Sequence, residues 1–164
     1  MKTLFSTLMA ISLAAPLPAQ ETLAASNDTA DAEVVQAEAE DIAPSLRIAD
    51  AQDVELADFL WVNRPVVVFA NTDADPRFNE QLELLLERPE ELLERDVVII
   101  TDTDPNAKSP VRIKLRPRGF QLALIGKDGG VKLRKPFPWD VRELTRVIDK
   151  MPLRQQEIRE SAGE

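Results

Sequence analysis

Residues 120–134 read FQLALIGKDGGVKLR, and the path of the chain through Lys127-Asp128-Gly129-Gly130 decides between two folds. Three of the chain's five glycines fall between Gly126 and Trp139, among several basic residues. Such a segment invites comparison with a phosphate-binding loop. That loop must open a helix, because the free amides and dipole of the helix N-terminus hold the anion. Here the flanks are strand-like on both sides, Phe120–Ile125 before and Val131–Arg134 after. Asp-Gly between two such runs is a strong short-range hairpin signal. The stretch therefore predicts an antiparallel hairpin.

Working toward the N-terminus, Pro65-Val-Val-Val-Phe-Ala70 is a short, β-branched apolar run, the pattern of a strand buried on both faces. Asp75-Pro76 supplies a helix cap and a first-turn proline. Phe78, Leu82, Leu85 and Leu86 then share one helical face, and Pro89 kinks or restarts the helix before Leu92 and Leu93. Asp96–Ile100 is a second buried strand, so strand, helix and strand imply a right-handed parallel crossover. Ser109-Pro110 opens a short helix through Arg116, although the alternation of Val111, Ile113 and Leu115 with basic residues also fits an edge strand. Beyond the hairpin, Asp140 and Glu143 form a capping box ahead of a stripe of Val141, Leu144, Val147, Ile148 and Met151. Met151-Pro152 ends that helix, and a charged tail follows.

Strand, helix, strand, short helix, hairpin, helix is the thioredoxin order. Phe120–Trp139 and Ile148–Glu157 resemble the exported thioredoxin-like domain-of-unknown-function family, related to the peroxiredoxin-like modules of secreted sushi-repeat and coiled-coil-domain proteins. The resemblance spans roughly Leu56 to Glu157. Its distinctive pieces are Gly126-Lys-Asp-Gly-Gly130 and Met151-Pro-Leu-Arg154. It implies an α/β, thioredoxin-like fold: a central mixed sheet of about four strands, parallel crossover plus antiparallel hairpin, flanked by helices. It implies no established activity. The loop where a thioredoxin carries its redox cysteines reads Asn71-Thr-Asp-Ala-Asp-Pro-Arg77, and Gly119 precedes the third strand where a thioredoxin has proline. The chain has no Cys and no His. Dithiol exchange requires a thiolate, so thiol redox catalysis by this chain is excluded.

Lys2, the apolar run Leu4–Ala15 and Leu17-Pro-Ala19 read as a secretory signal cut near Ala19. The expected organisation is a signal over 1–19, an acidic disordered tether over 20–45, a thioredoxin-like domain over 46–157 and a charged tail over 158–164. The run is too short to span a bilayer, so a periplasmic or secreted chain without stable membrane insertion is expected. Asn27-Asp-Thr29 is a glycosylation sequon that matters only in a eukaryotic host.

Charge is unevenly placed. Phe59–Asn106 holds eleven acidic residues and four basic, whereas Ala107–Lys135 holds nine basic and one acidic. The basic pole nominates Arg112, Lys114, Arg116, Arg118, Lys127, Lys132 and Arg134 as a surface for an unknown protein or anionic partner. An exported, net-acidic chain is a poor nucleic-acid binder. The same residues also suit a plain solvated face. A second candidate is the repeated motif Thr72-Asp-Ala-Asp-Pro76 and Thr101-Asp-Thr-Asp-Pro105. After parallel strands, Asp73, Asp75, Asp102 and Asp104 would lie at the sheet's carboxyl edge, where oxygen ligands suit Ca2+. Each Asp-Pro also works as a simple cap. No other cofactor is expected. A carboxylate-dependent enzyme is the remaining alternative, with no catalytic residue to name.

Overall fold

The computed structural model describes residues 45–163. The expected signal, the sequon and all but the last residue of the expected tether lie outside them. Among the described residues, no helix is long and apolar enough to cross a membrane.

Five strands form one sheet in the order β1-β3-β2-β4-β5: β1 Ile48–Asp50, β2 Arg64–Phe69, β3 Val97–Asp102, β4 Gln121–Ile125 and β5 Val131–Lys135. β3 runs parallel to both β1 and β2, while β4 is antiparallel to β2 and to β5. The expectation of four strands missed β1. Three residues are too few to show an alternating pattern, and β1 exists because Ile48 to Asp50 pair with Ile99 to Thr101.

Both faces of the sheet are covered, which explains the unbroken apolar runs of β2 and β3. On one face Val66, Val68, Ile99, Leu122 and Leu124 meet α1 (Pro76–Leu86), α2 (Pro89–Leu93) and α4 (Val141–Asp149). On the other, Val67, Phe69, Ile100, Ala123 and Ile125 meet α3 (Pro110–Leu115) and a 3-10 turn at Leu56–Phe59. Pro65 sits inside β2, but pairing with β4 begins only at Val66. Arg64 and Ala70 direct their amides to β3, so strand alternation turns the missing Pro65 amide away from that ladder.

Ser109 caps α3, accepting from the Arg112 amide at 3.0 Å, so this segment is a helix and not an edge strand. Pro89 restarts rather than kinks its helix. Two expectations fail in detail. Leu86 is exposed, not part of the buried stripe. Glu143 pairs with Arg146 instead of closing a capping box, although Asp140 does cap α4. Past Met151 the chain re-enters a helix, α5 (Pro152–Ser161), because Pro152 takes the first helical position. α5 crosses the expected boundary between domain and tail.

Candidate functional site: a basic face and a motif-lined pocket

The carboxyl ends of β2 and β3 are held by a buried polar cluster. Asp102 is 5% exposed. Ser109 Oγ donates to its Oδ2 at 2.5 Å, and Arg112 donates to its Oδ1 through Nε at 2.9 Å and Nη2 at 2.6 Å. Arg112 Nη2 also reaches the Ala70 carbonyl at 2.7 Å, so one guanidinium joins both strand ends. Asp75 caps α1 through the Arg77 amide and is forked by the Arg77 guanidinium. Those side-chain hydrogen bonds hold the Asp75 carboxyl below its usual range, against a smaller upward push from desolvation. Asp73 and Asp104 are exposed, and Asp104 accepts from the Asn106 amide. Asp75 and Asp102 are thus committed to arginines. Among the described residues, no group of three or more such side chains is placed to hold a metal.

The basic residues divide into two sets. Lys114, Arg116 and Arg118 are exposed around the end of α3 and form no ion pair among the described residues. Arg116 occupies the C-cap with φ +49°, a left-handed conformation that ends the helix and turns the chain. Arg134 of β5 donates to the Leu115 carbonyl at 2.8 Å and joins the hairpin to this face. The other set is engaged internally. Arg112 is spent on Asp102, Lys132 on Asp128 at 2.6 Å, and Lys127 on Asp96 at 2.7 Å and Glu157 at 3.0 Å. Lys132 also holds the Asp128 carboxyl below its usual range, with desolvation opposing.

At the opposite end of the sheet, the amino end of β2, lies a pocket of about 100 Å3 lined by Arg64, Gly126, Lys127, Asp128, Lys132, Met151, Pro152 and Leu153. Gly126–Gly130 and Met151–Arg154, the distinctive pieces of the sequence, therefore meet here. Arg64 is 1% exposed, and its guanidinium donates to Glu157 Oε1 at 2.8 Å and to the Arg95 carbonyl at 2.9 Å. Burial pushes the Glu157 carboxyl up, but hydrogen bonds from Arg64 and Lys127, with their charges, outweigh it and leave it below the usual range. Arg95 forks Asp149 at the end of α4 at 2.8 and 3.0 Å, and Arg154 to Glu94 at 3.1 Å, with Glu157 to Arg64, fastens α5 to the body. Sequence reasoning missed Arg64, Asp96 and Glu157. Nothing in a linear pattern pairs charges 93 residues apart. The convergence of two distinctive motifs was the signal available.

The family model described as "Domain of unknown function (DUF4174)" matches residues 55–157. Comparison with curated proteins finds no match. Among solved structures, the reduced 2-Cys peroxiredoxin of Plasmodium vivax is similar with a TM-score of 0.52 at 14% identity, covering 63% of this chain and 85% of that one. A chloroplastic thioredoxin z is similar with a TM-score of 0.50 at 16% identity, covering 66% and 96%. At such identities these likenesses concern the fold, which is thioredoxin-like. The family match takes in the hairpin, the pocket and the ion pairs of α5 described above, and extends over more than half of the sequence; the chain belongs to the DUF4174 family.

Proposed function

We propose that the protein is an exported, non-redox binding or adaptor module that receives an anionic partner on the basic face at the end of α3. The observation that carries this reading is that Lys114, Arg116 and Arg118 stand exposed and form no ion pair among the described residues, while Arg112 beside them and Lys127 and Lys132 at the other end of the sheet are neutralised internally. Unpaired cations on one face create a positive potential that draws and orients an anion. Arg134 and the β5 edge extend the surface toward the hairpin. The signal-like N-terminus and the sequence resemblance to secreted peroxiredoxin-like modules are what support export in this reading. A calcium site would have to be built on Asp73 and Asp104, since Asp75 and Asp102 already serve arginines.

The test is thermal unfolding with and without heparin, for the native chain and for Lys114→Glu, Arg116→Glu, Arg118→Glu combined. A ligand at a hundred times its dissociation constant stabilises by roughly 2.7 kcal/mol, a shift of about 10 °C for a domain of this size. The native chain should shift and the reversed chain should not. An equal shift in both, or none in either, sinks the basic face as the contact surface.

A further inference from the structure

The sheet ends in β5, and among the described residues nothing pairs with its outer side. Strand geometry turns alternate amides and carbonyls of Val131–Lys135 away from β4. No residue of β5 is fully buried, so these groups lie open at the edge. Such an edge is a template for an added strand, which brings its own amides and carbonyls to the unpaired ones.

The two faces beside this edge differ. On one, Arg134 donates to the Leu115 carbonyl at 2.8 Å, so the end of α3 stands directly over β5. Lys114, Arg116 and Arg118 surround that helix end, exposed and free of ion pairs among the described residues, and exposed Arg134 forms none either. On the other face, Leu133 packs against the core. Lys135 Nζ lies there 4.4 Å from the centre of the Trp139 ring and 5.7 Å from that of the exposed Phe137. One side of the edge is therefore cationic and the other largely apolar.

A strand laid along β5 sends alternate side chains to these two faces. Acidic residues at every second position meet the cations at the end of α3, and apolar residues between them continue the side formed by Leu133 and Phe137. Opposite charges on neighbouring strands stabilise the pairing, and like charges oppose it. A second copy of β5 would bring Lys132, Arg134 and Lys135 of both chains together, so the edge rejects its own kind and selects an acidic strand.

We propose that the anionic partner is an extended peptide segment, with acidic and apolar residues alternating, that joins the sheet as a further strand along β5. The proposal rests on the basic face as the contact surface and adds the β5 backbone as the part that selects a peptide among anions.

Hydrogen exchange of the β5 amides, followed by NMR on the full chain, tests this with three probes. One is a capped peptide of alternating Glu and Val, the second holds the same residues as a Glu block followed by a Val block, and the third is heparin. The alternating peptide should bind roughly tenfold or more tighter than the block peptide, because several edge hydrogen bonds form at once, and should slow exchange of the outward amides of β5. Heparin offers no strand and should leave those amides unchanged. Lys114→Glu, Arg116→Glu and Arg118→Glu combined should weaken the alternating peptide by a similar factor. A heparin shift in thermal unfolding without peptide protection of β5, or a block peptide that binds equally well, overturns the added strand and leaves the basic face standing. Equal protection of β5 in the charge-reversed chain overturns the acidic partner. Binding of neither heparin nor peptide overturns both.

Discussion

Two arginines show what a single side chain decides here. Arg112 belongs by sequence to the basic run, yet it lies three residues before the buried Leu115 and so turns inward beneath α3. Replacing it with Met leaves the Asp102 charge buried without its partner, which should cost about 3–5 kcal/mol in urea unfolding. Lys114→Met, two residues on and exposed, should stay within about 0.5 kcal/mol of the native chain. Arg64 and Lys127 act on Glu157 in a pH-dependent way. Their hydrogen bonds lower the folded carboxyl against the pull of burial. The stability they lend is complete above the ordinary glutamate value of about 4.3 and is lost as pH falls through the lower folded value. Urea midpoints measured from pH 7 down to pH 3 should therefore fall more steeply for the native chain than for Glu157→Gln. Equal slopes would show that the ion pair contributes nothing to this dependence.

Among the elements, the hairpin was the most legible, since Asp128-Gly129 leaves few other readings. Gly129 takes φ +74°, and any Cβ there also meets Leu60. Gly129→Ala should cost about 1 kcal/mol or more, a combination of left-handed strain and a displaced contact. Thermal unfolding of that variant measures it, and an unchanged midpoint would contradict the tight fit. The central strands were legible from their apolar runs and the helices α1 and α4 from caps and apolar periodicity, while at α3 the Ser109-Pro110 cap stood against an alternating pattern. What escaped was anything that depends on distant partners. β1 is defined by its pairing with β3, about fifty residues later. α5 has no buried residue and is held by Arg154 and Glu157, so no apolar stripe announces it. The candidate site divides in the same way: exposed Lys114, Arg116 and Arg118 were read in place, whereas Arg112, Lys127 and Lys132 look identical in sequence and differ only in what they meet.

For the whole molecule, the thioredoxin-like layers are kept while the thiols are missing, and the contrasts lie in the surface. Reversing Lys114, Arg116 and Arg118 together should change stability little, since none meets an acid among the described residues, while removing polyanion binding. A large loss of stability instead would show these cations to be structural. The order of the sheet has a further outcome for behaviour under stress. β3 holds Val97-Val98-Ile99-Ile100, uncharged and β-branched, and among the described residues it is guarded on one side by the three-residue β1, joined through Ile99 to Arg47 and Ala51 to Thr101. Local opening is easiest where contacts are few, so β1 should detach first on mild heating. The bared edge of β3 then offers an apolar template for strands of other molecules, and aggregation should begin while the rest of the domain is still folded.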